Sequence, residues 1–245
     1  MNNHIGIVLM HGKGGSPGRH VSGLASLLQE QGFLVANLEM PWSGRRAYDV
    51  PVAAAEQEVE TALGALRAQG ATKLFVAGHS QGGLFALHFG NAHRVDGVVA
   101  IAPGGNVGSA LFREKLADDL AKAQQLIAAG KGQEKTSLAD FEGSKGAYPV
   151  SSAPADYVSW FEPEGAMNQL LAVQNFNPQI PVLFIAPLHD YAGLLKVKQQ
   201  MFDALPKNPL SRLYEPDSSH LDAPSASSSE IAAWCKQVAN AEVAP

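Results

Sequence analysis

The 245-residue sequence has one cysteine, no surplus of positive charge and no long apolar run. A single thiol, Cys235, excludes an internal disulfide and any thiolate metal cluster. Its place in the helical pattern EIAAWCKQVA marks it as a packed side chain rather than a nucleophile. Lys plus Arg total 18 against 23 Asp plus Glu, a net charge of −5. That balance offers a phosphate backbone nothing to bind, so no nucleic-acid partner is expected. A membrane helix needs about 18 consecutive apolar residues, and no such run is present, so no membrane span is expected. The opening MNNHIGIVLMHGKGG also lacks the basic, apolar and cleavage regions of an export signal. The chain is therefore expected to be cytoplasmic, or periplasmic or secreted if its start has been trimmed. His88 and His93 have no third ligand at metal spacing, so no metal site is expected.

What is present is an alternation of short apolar runs with helical patterns, the mark of a mostly parallel sheet covered on both faces. Six strands are predicted: 5–10, 33–38, 73–77, 97–102, 182–186 and 211–214. Helices are predicted near 18–31, 52–69, 81–91, 192–205 and 224–239, with Ser16 and Pro17 as cap and first residue of the first. Gly32 and Gly70 fall just past two of them, where a left-handed cap favours glycine. The tract SASSS at 225–229 is expected to open the last helix. The rhythm breaks once, between residues 102 and 181, a gap longer than one crossover helix uses. Residues 1–103 and 179–245 are thus read as one α/β core. Residues 104–178 are read as an inserted, mainly helical cap, with a helix at 109–130, a turn-rich stretch at 130–146 and the aromatic segment AYPVSSAPADYVSWFEPEG.

The sharpest motif is KLFVAGHSQGG at 73–83: an apolar strand running into Gly78-His79-Ser80-Gln81-Gly82 and then a helical pattern. A strand that turns directly into a helix must bend sharply, so the glycines relieve crowding while Ser80 projects at the carboxyl edge of the sheet. The N–H of Gln81, at the helix N-terminus, is then placed to donate to an oxyanion. A second match to the pattern, Gly14 to Gly18, fails because Pro17 has no N–H to donate. His11-Gly12-Lys13-Gly14-Gly15 follows the first strand, and its loop can supply a second oxyanion N–H, assigned to Lys13; the Lys13 side chain is expected in solvent. A dinucleotide-binding turn is excluded there because the third glycine position is Pro17, and no Walker pattern occurs, so no cofactor is expected.

A serine hydroxyl needs a proton acceptor, and the acceptor needs an orienting acid. The first acid past the fifth strand is Asp190, in APLHDYAG, and of the eight histidines only His220, in EPDSSHLDAP past the last strand, follows it. Asp217 is the alternative acid. Together these elements, from His11 to His220, resemble the α/β-hydrolase superfamily in its serine esterase and lipase-like branch. The resemblance implies Ser80 as nucleophile, His220 as general base and acid, and Asp190 as orienter, without a metal or cofactor. It departs from the usual pattern in two places. Only four residues precede Ile5, where members commonly have a strand hairpin, and Pro-Leu-His-Asp lacks the usual glycine before the acid.

The resemblance implies no particular substrate; the expected activity is carboxylesterase-like (class EC 3.1.1), on a carboxylic ester or thioester of a small to medium substrate. A peptidase or amidase, a carbon–carbon hydrolase or lyase on the same triad, and a catalytically silent binding protein remain open, as does the oligomeric state. His11 and His79 flank the site in packing or hydrogen-bonding roles. Trp42, Arg45 and Arg46 are candidates for its rim, with an exposed solubilising loop favoured for the arginines. Tyr148, Tyr157, Trp160 and Phe161 stay unassigned between a pocket wall and the cap's own core.

Overall fold

In a computed structural model, residues 4–241 are described. The elements run β1 (Ile5–Met10), α1 (Ser22–Glu30), β2 (Leu34–Leu38), α2 (Val52–Ala68), β3 (Lys73–His79), α3 (Gln81–Ala92) and β4 (Gly97–Ile101). After an intervening segment come β7 (Val182–Ile185), α7 (Ala192–Ala204), β8 (Arg212–Tyr214), α8 (Ala223–Ala226) and α9 (Ser228–Asn240). The intervening segment holds α4 (Ala110–Ala128), β5 (Thr136–Glu142), β6 (Gly146–Ser152), α5 (Pro154–Phe161) and α6 (Gln169–Gln174). The six predicted strands form one sheet in the order β2-β1-β3-β4-β7-β8, every pairing parallel. Among the described residues no helix is long and apolar enough to cross a membrane.

Side-chain alternation divides the interior into two cores. Ile5, Ile7 and Leu9 of β1, Phe75 and Ala77 of β3 and Val99 and Ile101 of β4 face one side, against Leu24 and Leu28 of α1 and Ile231 and Trp234 of α9. The alternate residues Val8, Met10, Leu74, Val76, Val98 and Ala100 face the other, against α2 and α3. A strand buried on both faces reads as a continuous apolar run, which is why IGIVLM and LFVA carry no polar alternation. The register places Met10 beside Gly78, His79 beside Ile101, Ile101 beside Ile185 and Ile185 beside Tyr214. The loops that follow β1, β3, β4, β7 and β8 therefore leave the sheet from one edge at one level.

Two helices differ from the sequence reading. Helix α1 opens at Ser22 rather than near 18, and Ser16 and Pro17 do not cap it. His20 takes a left-handed φ of 53° and the Asn37 amide holds the Pro17 carbonyl at 2.9 Å, which keeps 16–21 in turns. The final helix is two: α8 ends at Ala226, and α9 begins after Ser227.

The segment from 104 to 178 contains the helix expected at 109–130, capped by Ser109, whose hydroxyl accepts from the Phe112 N–H. It also contains an antiparallel hairpin where turns and an aromatic stretch were expected. Pro149, opposite Ala139, breaks the pattern of a good strand, since proline cannot donate to a ladder. The apolar residues of this segment do not form a core apart. Leu116, Leu138, Phe141, Tyr157, Trp160 and Phe161 belong to the same buried cluster as Val8 and Val76. Trp160 sits at the join, with ring centroids 5.6 Å from both Trp42 and Phe85 and its indole N–H on the Val50 carbonyl at 2.8 Å.

Trp160→Ala removes a fully buried indole and orphans that carbonyl. It is expected to destabilise the protein by about 3–5 kcal/mol, read as a lower urea midpoint in one cooperative transition. A cost below about 1 kcal/mol, or a separate early transition, would show that the segment does not share the core.

Candidate active site

The turn from β3 into α3 leaves its glycines no room for a side chain. A Cβ on Gly78 would lie 2.0 Å from the Gly82 carbonyl oxygen, and one on Gly82 would lie 2.4 Å from the Met10 carbonyl oxygen. Both obstacles are backbone, so neither position admits a side chain. Ser80, between them, adopts φ 55° and ψ −116°, a conformation unusual for a residue with a Cβ. Its main chain is pinned on both sides: its N–H donates to Ile101 at 2.8 Å, and its carbonyl accepts from Gly83, Leu84 and Gly104. Its side chain makes no capping bond to α3, so Oγ is not consumed by the helix it precedes.

His220 and Asp190 arrive from neighbouring loops that continue the pairing of β7 with β8. The Leu188 N–H donates to Pro216 at 2.9 Å and the His189 N–H to Ser218 at 3.1 Å. This brings His220 Nδ1 to 2.7 Å from Asp190 Oδ1, with both side chains buried. The carboxylate accepts, so Nδ1 carries the proton and Nε2 is the basic nitrogen. Asp217 instead pairs with His189, both exposed, and does not reach His220. The Tyr191 ring, itself half exposed, lies over His220 with centroids 4.5 Å apart.

His79 closes the other side, its ring centroid 4.9 Å from that of His220. Its Nε2–H donates to the His220 carbonyl at 2.8 Å, which ties the elbow to the histidine loop. Burial, then the neighbouring His220, lowers its pKa to about 3, so the ring is neutral. His11 is likewise held below its ordinary value by burial, with Nδ1–H on Gly12 and Nε2 accepting from the Met40 N–H. Both histidines fill the packing and hydrogen-bonding roles expected of them.

Lys13 follows Gly12, where an added Cβ would lie 3.2 Å from that of Ser80. The N–H groups of Lys13 and Gln81 donate to no acceptor among the described residues. The Lys13 side chain is not in solvent: its ammonium is buried, 2.6 Å from Asp140 Oδ1 and 3.0 Å from the Phe141 carbonyl. Nothing local in the sequence signals this pairing, because the partner lies 127 residues away on the β5–β6 hairpin.

Trp42 is a core residue, and the two arginines are occupied by acids, Arg45 by Glu39 and Arg46 by Glu58 and Asp49. Tyr157, Trp160 and Phe161 are buried core, whereas Tyr148 hydrogen-bonds Asp140. His88 and His93 pair with Glu56 and Glu60. Among the described residues no group of three or more His, Cys, Asp or Glu is arranged to hold a metal ion. Beside Asp190 lies an apolar recess lined by Ala102, Pro103, Phe184, Leu194, Leu195 and Val197. Gly104 separates it from Ser80: a Cβ there would stand 3.6 Å from both Ser80 Oγ and Leu194.

A family model described as an alpha/beta hydrolase family matches residues 7–234. No curated protein matches the chain significantly. Among solved structures, the chain is similar to a monoacylglycerol lipase from Paleococcus ferrophilus, at 20% identity and a TM-score of 0.62 over 95% of this chain and 94% of that one. It is also similar to a highly thermostable carboxyl esterase from Bacillus coagulans, at 16% identity and TM-score 0.67 over 98% and 91%. A proline iminopeptidase from Mycobacterium smegmatis follows at 18% identity and TM-score 0.57 over 97% and 92%. At these identities the likeness is one of fold.

The two depressed histidines fix the sign of the acid response. Below pH 6.5 the unfolded chain takes up a proton at His79 that the folded chain refuses until about pH 3, so stability present above pH 6.5 is lost as pH falls. From His79 alone the loss by pH 5 is about 2 kcal/mol. Urea midpoints should fall from pH 7.5 to 5, and His79→Gln should flatten the slope. An unchanged slope in that variant would mean that His79 takes up its proton equally in the folded and the unfolded chain.

Proposed function

Because the chain belongs to the alpha/beta hydrolase family, we propose that it is a serine hydrolase cleaving a carboxylic ester or thioester of a small to medium substrate. One observation carries this reading. Ser80 is held in a strained turn with its hydroxyl uncommitted, at the edge where His220 is already hydrogen-bonded to Asp190. The strain is of the kind that a fixed nucleophile requires.

In this reading Ser80 Oγ attacks the carbonyl carbon while His220 Nε2 takes its proton, and Asp190 holds the Nδ1–H and stabilises the imidazolium. The N–H groups of Lys13 and Gln81 donate to the tetrahedral oxyanion, worth about two to three orders of magnitude in rate per donor. Collapse expels the alcohol or thiol, which leaves with the proton from Nε2, and Ser80 is acylated. Water then attacks the acyl carbon, giving its proton to His220, and the acid departs as that proton returns to Ser80. No step needs a metal or an organic cofactor.

In this account the described residues of 1–103 and 179–245 form the hydrolase core, residues 1–3 and 242–245 lying outside the described residues, and 104–178 bound the acyl site as a cap. Gln169 of the cap lines the apolar recess and donates to the Pro103 carbonyl at 3.1 Å, which supports that assignment. The recess has a volume of only about 10 Å³, room for about one water, so the length of the acyl group is read from the ester series rather than from the recess.

Hydrolysis of p-nitrophenyl esters from acetate to laurate tests this directly, with Ser80→Ala and Asp190→Asn alongside. Turnover is expected to peak below laurate. It should fall by at least about 10³-fold in Ser80→Ala and by up to about 10⁴-fold in Asp190→Asn. Turnover that survives in Ser80→Ala, or none on any ester in the folded protein, defeats the reading. Cleavage of anilides alone would make the protein an amidase or peptidase instead.

A further inference from the structure

Asp140, on β5, is buried to 1% exposure, and its two oxygens accept four bonds. Oδ1 takes the Lys13 ammonium at 2.6 Å and the Phe141 N–H at 2.6 Å. Oδ2 takes the Tyr48 hydroxyl at 2.8 Å and the Tyr148 hydroxyl at 3.0 Å. The Tyr48 hydroxyl in turn accepts from the Gln81 side-chain amide at 3.3 Å. One carboxylate of the inserted segment therefore holds Lys13 directly and Gln81 through a single tyrosine. Lys13 follows Gly12, which abuts Ser80, and Gln81 follows Ser80 itself; the main-chain N–H of each has no acceptor among the described residues.

Stability is a weak reason for such an arrangement, because a buried ion pair loses in desolvation much of what it gains in attraction. What a fully satisfied carboxylate supplies is direction. Tyr48 and its neighbour Ala47 both sit at positive φ, 57° and 48°, conformations that cost energy unless the surroundings over-determine them. The Lys13 ammonium is further enclosed by the Phe112 and Phe161 rings, 5.2 and 5.8 Å from their centroids. The strained loop and the lysine are held in single positions by the same acid.

We propose that Asp140 is a positioning residue that sets the oxyanion site from the inserted segment, through Lys13 on one side and through Tyr48 and Gln81 on the other. The proposal rests on the serine-hydrolase reading above. It assigns Asp140 no contact with substrate. Its effect is confined to where two N–H groups point when charge develops on the carbonyl oxygen.

The test compares the unmodified protein, Asp140→Asn and Tyr48→Phe. Each is measured for kcat and KM on the best p-nitrophenyl ester, for the Ki of an alkyl trifluoromethyl ketone, and for folding by circular dichroism. The ketone adds to a catalytic serine to give an oxyanion, so it reports the donors where KM does not. Asp140→Asn is expected to lower kcat about 10- to 100-fold, leave KM within about twofold, and raise the ketone Ki by the factor lost in kcat/KM. Tyr48→Phe leaves the Lys13 pair intact and cuts the branch to Gln81. It is expected to lower kcat about 3- to 10-fold with the same split, and it decides the matter should Asp140→Asn not fold. Folded variants with unchanged kcat, a loss confined to KM, or an unchanged ketone Ki would overturn the proposal while leaving the hydrolase reading intact. An unmodified protein that neither turns over esters nor binds the ketone removes both.

Discussion

The structure depends on empty space at two glycines. The first turn of α3 presses so closely on the end of β1 and on its own strand that Gly78 and Gly82 have backbone oxygens where a Cβ would stand. That contact lets β3 pass into α3 without a loop, and the missing loop forces the residue between them into a left-handed backbone. Because the neighbouring strands end in register, the loops after β1, β4, β7 and β8 leave the same edge; those after β1 and β4 abut Ser80, and the loop after β8 is bonded to His79. Neighbouring groups are placed by the sheet, and the serine is placed by the glycines.

Much of this was legible in the sequence because it is local. Strands buried on both faces show as unbroken apolar runs, and a strand, a Gly-x-Ser-x-Gly turn and a helix are contiguous in the chain. The order of Asp190 and His220 after late strands made them the candidate acid and base, and the structure pairs His220 with Asp190 rather than with Asp217, since both acids lie in short loops at the same edge. What was not legible was set by distance or by tertiary override. The start of α1 was displaced by His20 and by the hold of Asn37 on Pro17, neither of which leaves a sequence signature. The hairpin of β5 and β6 was hidden by Pro149, and with it the partner of Lys13.

The way the acid reaches the histidine explains why the missing glycine before Asp190 does no visible harm. Beyond their last ladder residues, β7 and β8 keep exchanging backbone bonds, Ala186 to Tyr214, Leu188 to Pro216 and His189 to Ser218. The loop needs no flexible residue because its path is guided by its neighbour. Leu188 and His189 are turned outward, His189 meets Asp217 in solvent, and Asp190 is turned inward onto His220. Two adjacent His–Asp pairs thus separate by exposure: the exposed pair is screened and weak, and the buried pair keeps a fixed hydrogen bond.

The inserted segment has the same logic on a larger scale. A lid that opened freely would bury little against the sheet, yet here Trp160 and Phe161 belong to the main core, and the Ser152 hydroxyl and Trp160 indole bond the backbone of residues 48 and 50. The segment is seated by apolar area, and that area is what makes a buried carboxylate tolerable at Asp140, since an acid so placed must have every lone pair answered. Hydrophobic packing is indifferent to direction, whereas the bonds to Lys13, Tyr48 and Tyr148 are not. The core therefore holds the segment in place, and Asp140 determines how the loops beside Ser80 are turned.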